Sequence, residues 1–109
     1  MMMKLYSREY ENYSEINYPF LPKFYGKQKE NNLVIQYILG PTLNTTDITK
    51  LSLEDKIIII VELMLIIQYL HGKDFIYRDL KPNNVIYENK TTFLIDFDRM
   101  IKINSPKRE

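Results

Sequence analysis

The stretch from Ser52 to Gly72 limits the possible folds more than any other part of this chain. Ile57 to Ile67 places ten apolar residues among eleven, broken only by Glu62. A membrane-spanning helix needs about 20 mostly apolar residues, so this run reads as a helix buried in a globular domain. Ser52-Leu53-Glu54-Asp55 has the capping-box pattern, in which a serine and an acid three residues on satisfy free N–H groups at a helix start. Gly72 stands where helices commonly end. A helix of about 20 residues, some 30 Å long, is expected between them. Seven β-branched residues in the run favour strand locally, and Ile57 to Val61 alone has an aggregation-prone composition. The cap, the length and the glycine decide for helix.

Around that helix, 109 residues leave room for one small domain. The chain is 45% hydrophobic and 27% charged, a globular composition, and its net charge of +1 points to neither nucleic acid nor membrane as a partner. There is no cysteine, which excludes disulfides and thiolate metal sites and suits a reducing interior. Met1 to Tyr10 lacks the apolar core of a secretory signal, so a cytoplasmic location is expected.

Leu5, Tyr6, Tyr10, Tyr13 and Ile16 recur at roughly helical spacing, predicting a helix over 4–17 that Pro19 and Pro22 terminate. Phe24 and Tyr25 lead into Gly26 as a short strand and turn, and polar Lys27 to Asn32 reads as a hairpin connection. Leu33 to Leu39 is a strand candidate stopped by Gly40-Pro41, and Thr42 to Leu51 is irregular or a short helix. Val85 to Tyr87 and Thr92 to Ile95 are short strands joined by a hairpin turn at Glu88-Asn89-Lys90-Thr91. From Lys102 the tail is polar, and fraying is expected there.

Between helix and hairpin lies Tyr77-Arg78-Asp79-Leu80-Lys81-Pro82-Asn83-Asn84, and beyond the hairpin Phe93-Leu94-Ile95-Asp96-Phe97-Asp98. The first resembles the H/Y-R-D-L-K-P-x-N catalytic loop of eukaryotic protein kinases, and the second their D-F-G motif. That resemblance implies Mg-ATP-dependent phosphoryl transfer to a protein hydroxyl, a reaction that rests on positioning and charge stabilisation. It implies Asp79 as the base or hydroxyl orienter and Lys81 as the γ-phosphate contact. Asn84 and Asp96 would be the Mg²⁺ ligands. Lysine and proline after Asp79-Leu80 resemble the serine/threonine branch of the family.

The resemblance runs upstream as well. Ser14 to Gly26 is similar to the L-x-H-P-x-I-V-x-x-x-G passage after the family's helix αC. Glu9, ten residues before Pro19, is either the αC glutamate or an ordinary exposed helix acid. Leu33 to Leu39 resembles the fifth strand and hinge, with Ile35 as gatekeeper and the backbones of Gln36 and Ile38 facing adenine. Ile86 matches the apolar floor of the adenine pocket, though core packing accounts for it equally. His71 belongs to the Y-L-H that ends the family's long helix and reads as structural.

The expected architecture is therefore α+β: a partial kinase-like fold with 1–39 from the small lobe and 40–109 from the start of the large lobe. ATP, Mg²⁺ and a protein substrate are the implied ligands. Three departures from the family pattern qualify that expectation. No G-x-G-x-x-G loop or V-A-I-K lysine precedes the αC-like segment, and no A-P-E follows Asp96. Asp98 replaces the D-F-G glycine, where it could add a metal ligand or bind Mg²⁺ unproductively. The chain alone is expected to be inactive, with a partner chain covering the 57–67 helix face. A pseudokinase-like binding module and a non-functional kinase fragment are the alternatives.

Overall fold

The computed structural model describes residues 2–4, 12–28 and 32–103. Its centre is α1, Leu53–Gly72. The capping box is complete: Ser52 Oγ accepts from Asp55 N at 3.0 Å, and Asp55 Oδ2 accepts from Ser52 N at 3.2 Å. Gly72 is the last helical residue and not a left-handed cap; Lys73 caps the end, and the positive φ falls at Asp74, 69°. Aspartate tolerates that region better than most residues, so the chain reverses two residues later than glycine placement suggests.

Three strands make the first sheet: β1 (Met2–Lys4), β2 (Phe24–Gln28) and β3 (Asn32–Ile35), in antiparallel order β1-β3-β2. Lys4, expected to open a helix, ends β1 instead, while residues 12–14 form a helical turn. The strand expected to reach Leu39 stops at Ile35, and 36–39 run on without ladder pairing. Gln36 there exchanges two bonds with Lys23, donating its N–H to Lys23 O at 2.8 Å and accepting from Lys23 N on Oε1 at 3.1 Å.

After α1, β4 (Phe75–Ile76) pairs with β7 (Ile101–Lys102), a two-residue ladder that no sequence signal announces. β5 (Val85–Glu88) and β6 (Thr91–Leu94) form the expected hairpin, closed by Asn89 and Lys90 at φ 53° and 61°. Two successive positive φ values define a type I′ turn, whose twist suits a two-residue hairpin.

The core joins both halves: Leu21, Leu33, Ile66, Leu70, Phe75, Leu94 and Phe97 are all buried together. Gly40 makes one close approach possible. At φ 149°, a Cβ there would stand 3.0 Å from Ile86 Cγ2 and 3.2 Å from Glu88 Cβ, so the 36–42 segment can lie directly against β5.

Candidate functional site

The loop after β4 closes on itself. Pro82–Asn84 form a 3-10 turn, with Asn84 N donating to Lys81 O at 2.9 Å. Proline at the first helical position suits that turn, since its missing N–H would be unpaired there anyway. Asn84 is buried, and its Nδ2 donates to Asp79 O at 2.9 Å and to Asp79 Oδ2 at 3.0 Å. The Asn84 amide is thereby oriented with Oδ1 as its remaining, acceptor end. Lys81 Nζ lies 3.7 Å from Asp79 Oδ1 on a half-exposed side chain, able to swing toward an anion. A pair this exposed contributes about 0–1 kcal/mol, so Lys81 is not needed to hold the loop.

The hairpin brings Asp96 back beside this loop. Ile95 N donates to Asn84 O at 2.9 Å, and the Tyr77 hydroxyl donates to Ile95 O. Two bonds thus bracket the residue before Asp96, one to each end of the catalytic-loop-like stretch. Tyr77 is buried, and its hydroxyl is held far above the ordinary tyrosine range, first by burial and then by the charges of Asp96 and Asp79. It stays a neutral donor at any working pH. Phe97 is buried between Tyr13 and Tyr77, edge-on to both with centroids 5.3 Å apart. Such edge-to-face pairs contribute about 0.5–1.5 kcal/mol beyond area burial.

Several positioning groups were not visible in the sequence. Buried Asn12 donates through Nδ2 to Phe97 O at 3.2 Å and to Met100 O at 2.9 Å. Lys102 Nζ meets Glu15 Oε1 at 2.5 Å and lies 5.5 Å over the Phe75 ring. Both ties span more than 80 residues, so no local pattern could reveal them. Arg78 donates from Nε to Arg99 O at 2.9 Å, its own backbone at φ 72°.

A glycine at 98 would permit a left-handed backbone, but that conformation lies elsewhere. Positive φ falls on Asp96, 65°, whereas Asp98 is not among the positive-φ residues described. Replacing glycine at 98 therefore carries no left-handed penalty. Asp98 is exposed, and its N–H donates to Asp96 Oδ1 at 3.3 Å. Glu9 lies outside the described residues. Of the residues expected on the adenine side, Gln36 has its backbone N–H committed to Lys23 O, which leaves its backbone carbonyl as the free main-chain group. Ile38 is half-buried in the segment beyond it. Ile86 is buried and bridges Thr42.

The donor chemistry at Asn84 and Asp96 suits a hard divalent cation. Among the described residues no cluster of three or more His, Cys, Asp or Glu gathers. Mg²⁺ does not need one, because it commonly takes one or two carboxylates and fills its remaining positions with water and substrate phosphate. The Asn84 amide oxygen and the Asp96 carboxylate fit that pattern.

Beside the loop, a groove of about 460 Å³ runs along α1, lined by Leu63, Met64, Ile67, Gln68, His71 and Leu80. No helix among the described residues is long and apolar enough to cross a membrane.

A family model described as "Protein kinase domain" matches residues 3–108. The serine/threonine-protein kinase OXI1 of Arabidopsis thaliana is 38% identical over 95 residues, which make up 78% of this chain and 22% of that protein. Serine/threonine-protein kinase D of Synechocystis sp. is 34% identical over 104 residues, 89% of this chain and 20% of that protein. The chain spans about a fifth of the length of these relatives.

Proposed function

We propose, from the premise that this chain belongs to the eukaryotic-type protein kinase family, that its loop and hairpin are the phosphoryl-transfer end of a serine/threonine kinase site. Asp79 orients the hydroxyl of a protein substrate and accepts its proton. Lys81 meets the transferred phosphate. Asn84 and Asp96 hold Mg²⁺, which when bound offsets the charge of the ATP phosphates. Gln36, Ile38 and Ile86 form the adenine side. Residues 1–39 are small-lobe sequence and 40–109 begin the large lobe, a division supported by the confinement of the first sheet to residues before 36.

One observation carries this reading. Asn84 bonds both the backbone and the carboxylate of Asp79 through Nδ2, and its backbone carbonyl accepts from Ile95 N, beside Asp96. The base, the amide ligand and the carboxylate ligand are therefore one connected unit. A Mn²⁺ titration followed by electron paramagnetic resonance tests it: Asp96→Asn is expected to weaken binding about tenfold or more. Equal affinity in the two chains would remove the metal assignment.

Residues 1–109 by themselves are not expected to turn over. Their three glycines, Gly26, Gly40 and Gly72, lie too far apart for a glycine-rich loop over the phosphates. The purified chain, given labelled ATP and a generic basic protein, should transfer no phosphate. Turnover that disappears in Asp79→Ala would overturn that expectation.

The outer face of α1 supports a second reading, a binding module. Leu53, Ile57, Ile60, Val61, Met64 and Leu65 are all exposed, and a contiguous apolar surface of that kind marks an interaction site. A partner chain covering this face would appear in light scattering as a complex of defined mass, whereas aggregate alone would count against it.

A further inference from the structure

Glu62, the single charge inside the apolar run, is explained neither by the cap nor by the loop. Its Oε1 accepts the Thr92 N–H at 2.7 Å. Thr92 pairs with Tyr87 across the hairpin, and on its other side β6 has no strand neighbour among the described residues. Glu62 thus takes an edge N–H that burial would leave unpaired, Thr92 being fully buried. Seven residues earlier, Asp55 makes a second tie to the same hairpin. Its Oδ1 accepts from the Tyr87 hydroxyl at 2.6 Å and from Lys90 Nζ at 2.8 Å. Residues seven apart lie on one face of a helix, so two carboxylates hold the hairpin at its turn and along its outer edge.

The hairpin has one further property. Asn84 precedes its first strand, Asp96 follows its second by two residues, and Ile95 N to Asn84 O closes the open end. Where β6 sits decides where Asp96 sits relative to Asn84.

We propose that Glu62 is a positioning residue for the Asn84–Asp96 cation pair, acting through the Thr92 amide and β6. The proposal rests on the metal-site reading above and adds a residue of α1 to it. Glu62 touches neither cation nor substrate. Its neutral acceptor equivalent, glutamine, should do the same work.

The test uses the 109-residue chain, ¹⁵N-labelled, as wild type, Glu62→Ala, Glu62→Gln and Asp96→Asn, with amide hydrogen exchange and Mn²⁺ affinity both measured. In Glu62→Ala, exchange at Thr92 and Ile95 should speed about tenfold or more, while Ile66 and Leu70 in α1 keep wild-type rates. Mn²⁺ should bind about tenfold more weakly. Glu62→Gln should restore both to within about twofold.

Uniform acceleration that includes Ile66 and Leu70 would make Glu62 a residue of general stability and overturn the proposal. So would a Glu62→Gln chain as impaired as Glu62→Ala. Mn²⁺ bound as tightly by Glu62→Ala as by wild type overturns the proposal alone. Mn²⁺ binding that is absent from the wild type, or unchanged in Asp96→Asn, overturns the metal-site reading beneath it.

Discussion

The two faces of α1 are made of the same kinds of side chain and meet opposite fates. Ile66 and Leu70 are 0% exposed, packed against Leu94, Phe75 and the hairpin, while Ile60 is 58% and Met64 66% exposed on the other side. The inward stripe also carries the two acids that bind the hairpin, Asp55 and Glu62. Glu54, Lys56, Gln68 and His71 are exposed, but so are Leu53, Ile57, Ile60, Val61, Met64 and Leu65, so the outward side mixes polar and apolar residues. An amphipathic surface helix confines its apolar residues to one side, and this one does not. Asp55 and Glu62 mark the side that bonds neighbouring backbone and side chains. Apolarity alone does not say which side is covered.

Substitutions on the two faces should separate them most widely. Leu70→Ala removes a fully buried side chain and is expected to cost about 2–5 kcal/mol, read from the denaturant midpoint. Ile60→Lys on the outer face of the lone chain should stay within about 0.5 kcal/mol. Equal costs would mean that the outer face is covered, by a second copy or by another chain.

A smaller effect tests the contact between the 36–42 segment and β5. Gly40→Ala combines a φ of 149° with a Cβ 3.0 Å from Ile86 Cγ2. It should destabilise by about 1–3 kcal/mol, the usual cost of holding a side chain in a sparsely populated backbone region. A thermal melt unchanged in midpoint would show that the segment can lift from β5.

The inward acids predict a pH dependence that the outer face lacks. Lys90 first, and then Tyr87, hold the Asp55 carboxyl well below its ordinary value of 3.8. A depressed carboxylate stabilises the fold above its unfolded value, and the contribution fades as pH falls below 3.8. Tyr87 is pushed up from 10.0 to about 12 by burial and by Asp55. A raised phenol favours the fold while protonated, so its contribution is intact below pH 10 and disappears between 10 and about 12. Denaturant midpoints in Tyr87→Phe should lose the alkaline slope. A slope that persists would place the titrating group elsewhere.

The smallest effect is expected at Thr92, whose buried Oγ1 has no partner among the described residues. Thr92→Val should leave stability unchanged or raise it by up to about 1 kcal/mol, because it removes a desolvated hydroxyl and keeps the shape. A clear loss would reveal an unseen partner for that oxygen.

Local chemistry made much of this legible in the sequence. The capping box marked the start of α1 to the residue, because its two bonds join residues three apart. The Asn89-Lys90 turn followed from the short polar break between two β-rich runs. Asp79, Lys81 and Asn84 could be picked out because their spacing within one loop is itself the signal, and the structure joins Asp79 to both of the others. Asp96 followed from the resemblance of Asp96-Phe97 to the family's D-F-G motif.

What remained hidden depends on contacts between distant segments. Asn12 on Phe97 and Met100, Lys102 on Glu15, and the β4–β7 pair join residues far apart in the chain. Gly72 did mark the end of the helix, but the left-handed residue lies two positions on, at Asp74, where no glycine announced it.

By itself, the sequence determined the existence of α1, the hairpin and the loop, together with the family they belong to. These rest on bonds and spacings that close within a few residues. Only the tertiary structure decided which face of α1 is buried. A helix apolar on nearly every side carries no direction, and direction came from the hairpin, whose buried Thr92 N–H and half-buried Tyr87 phenol meet Glu62 and Asp55.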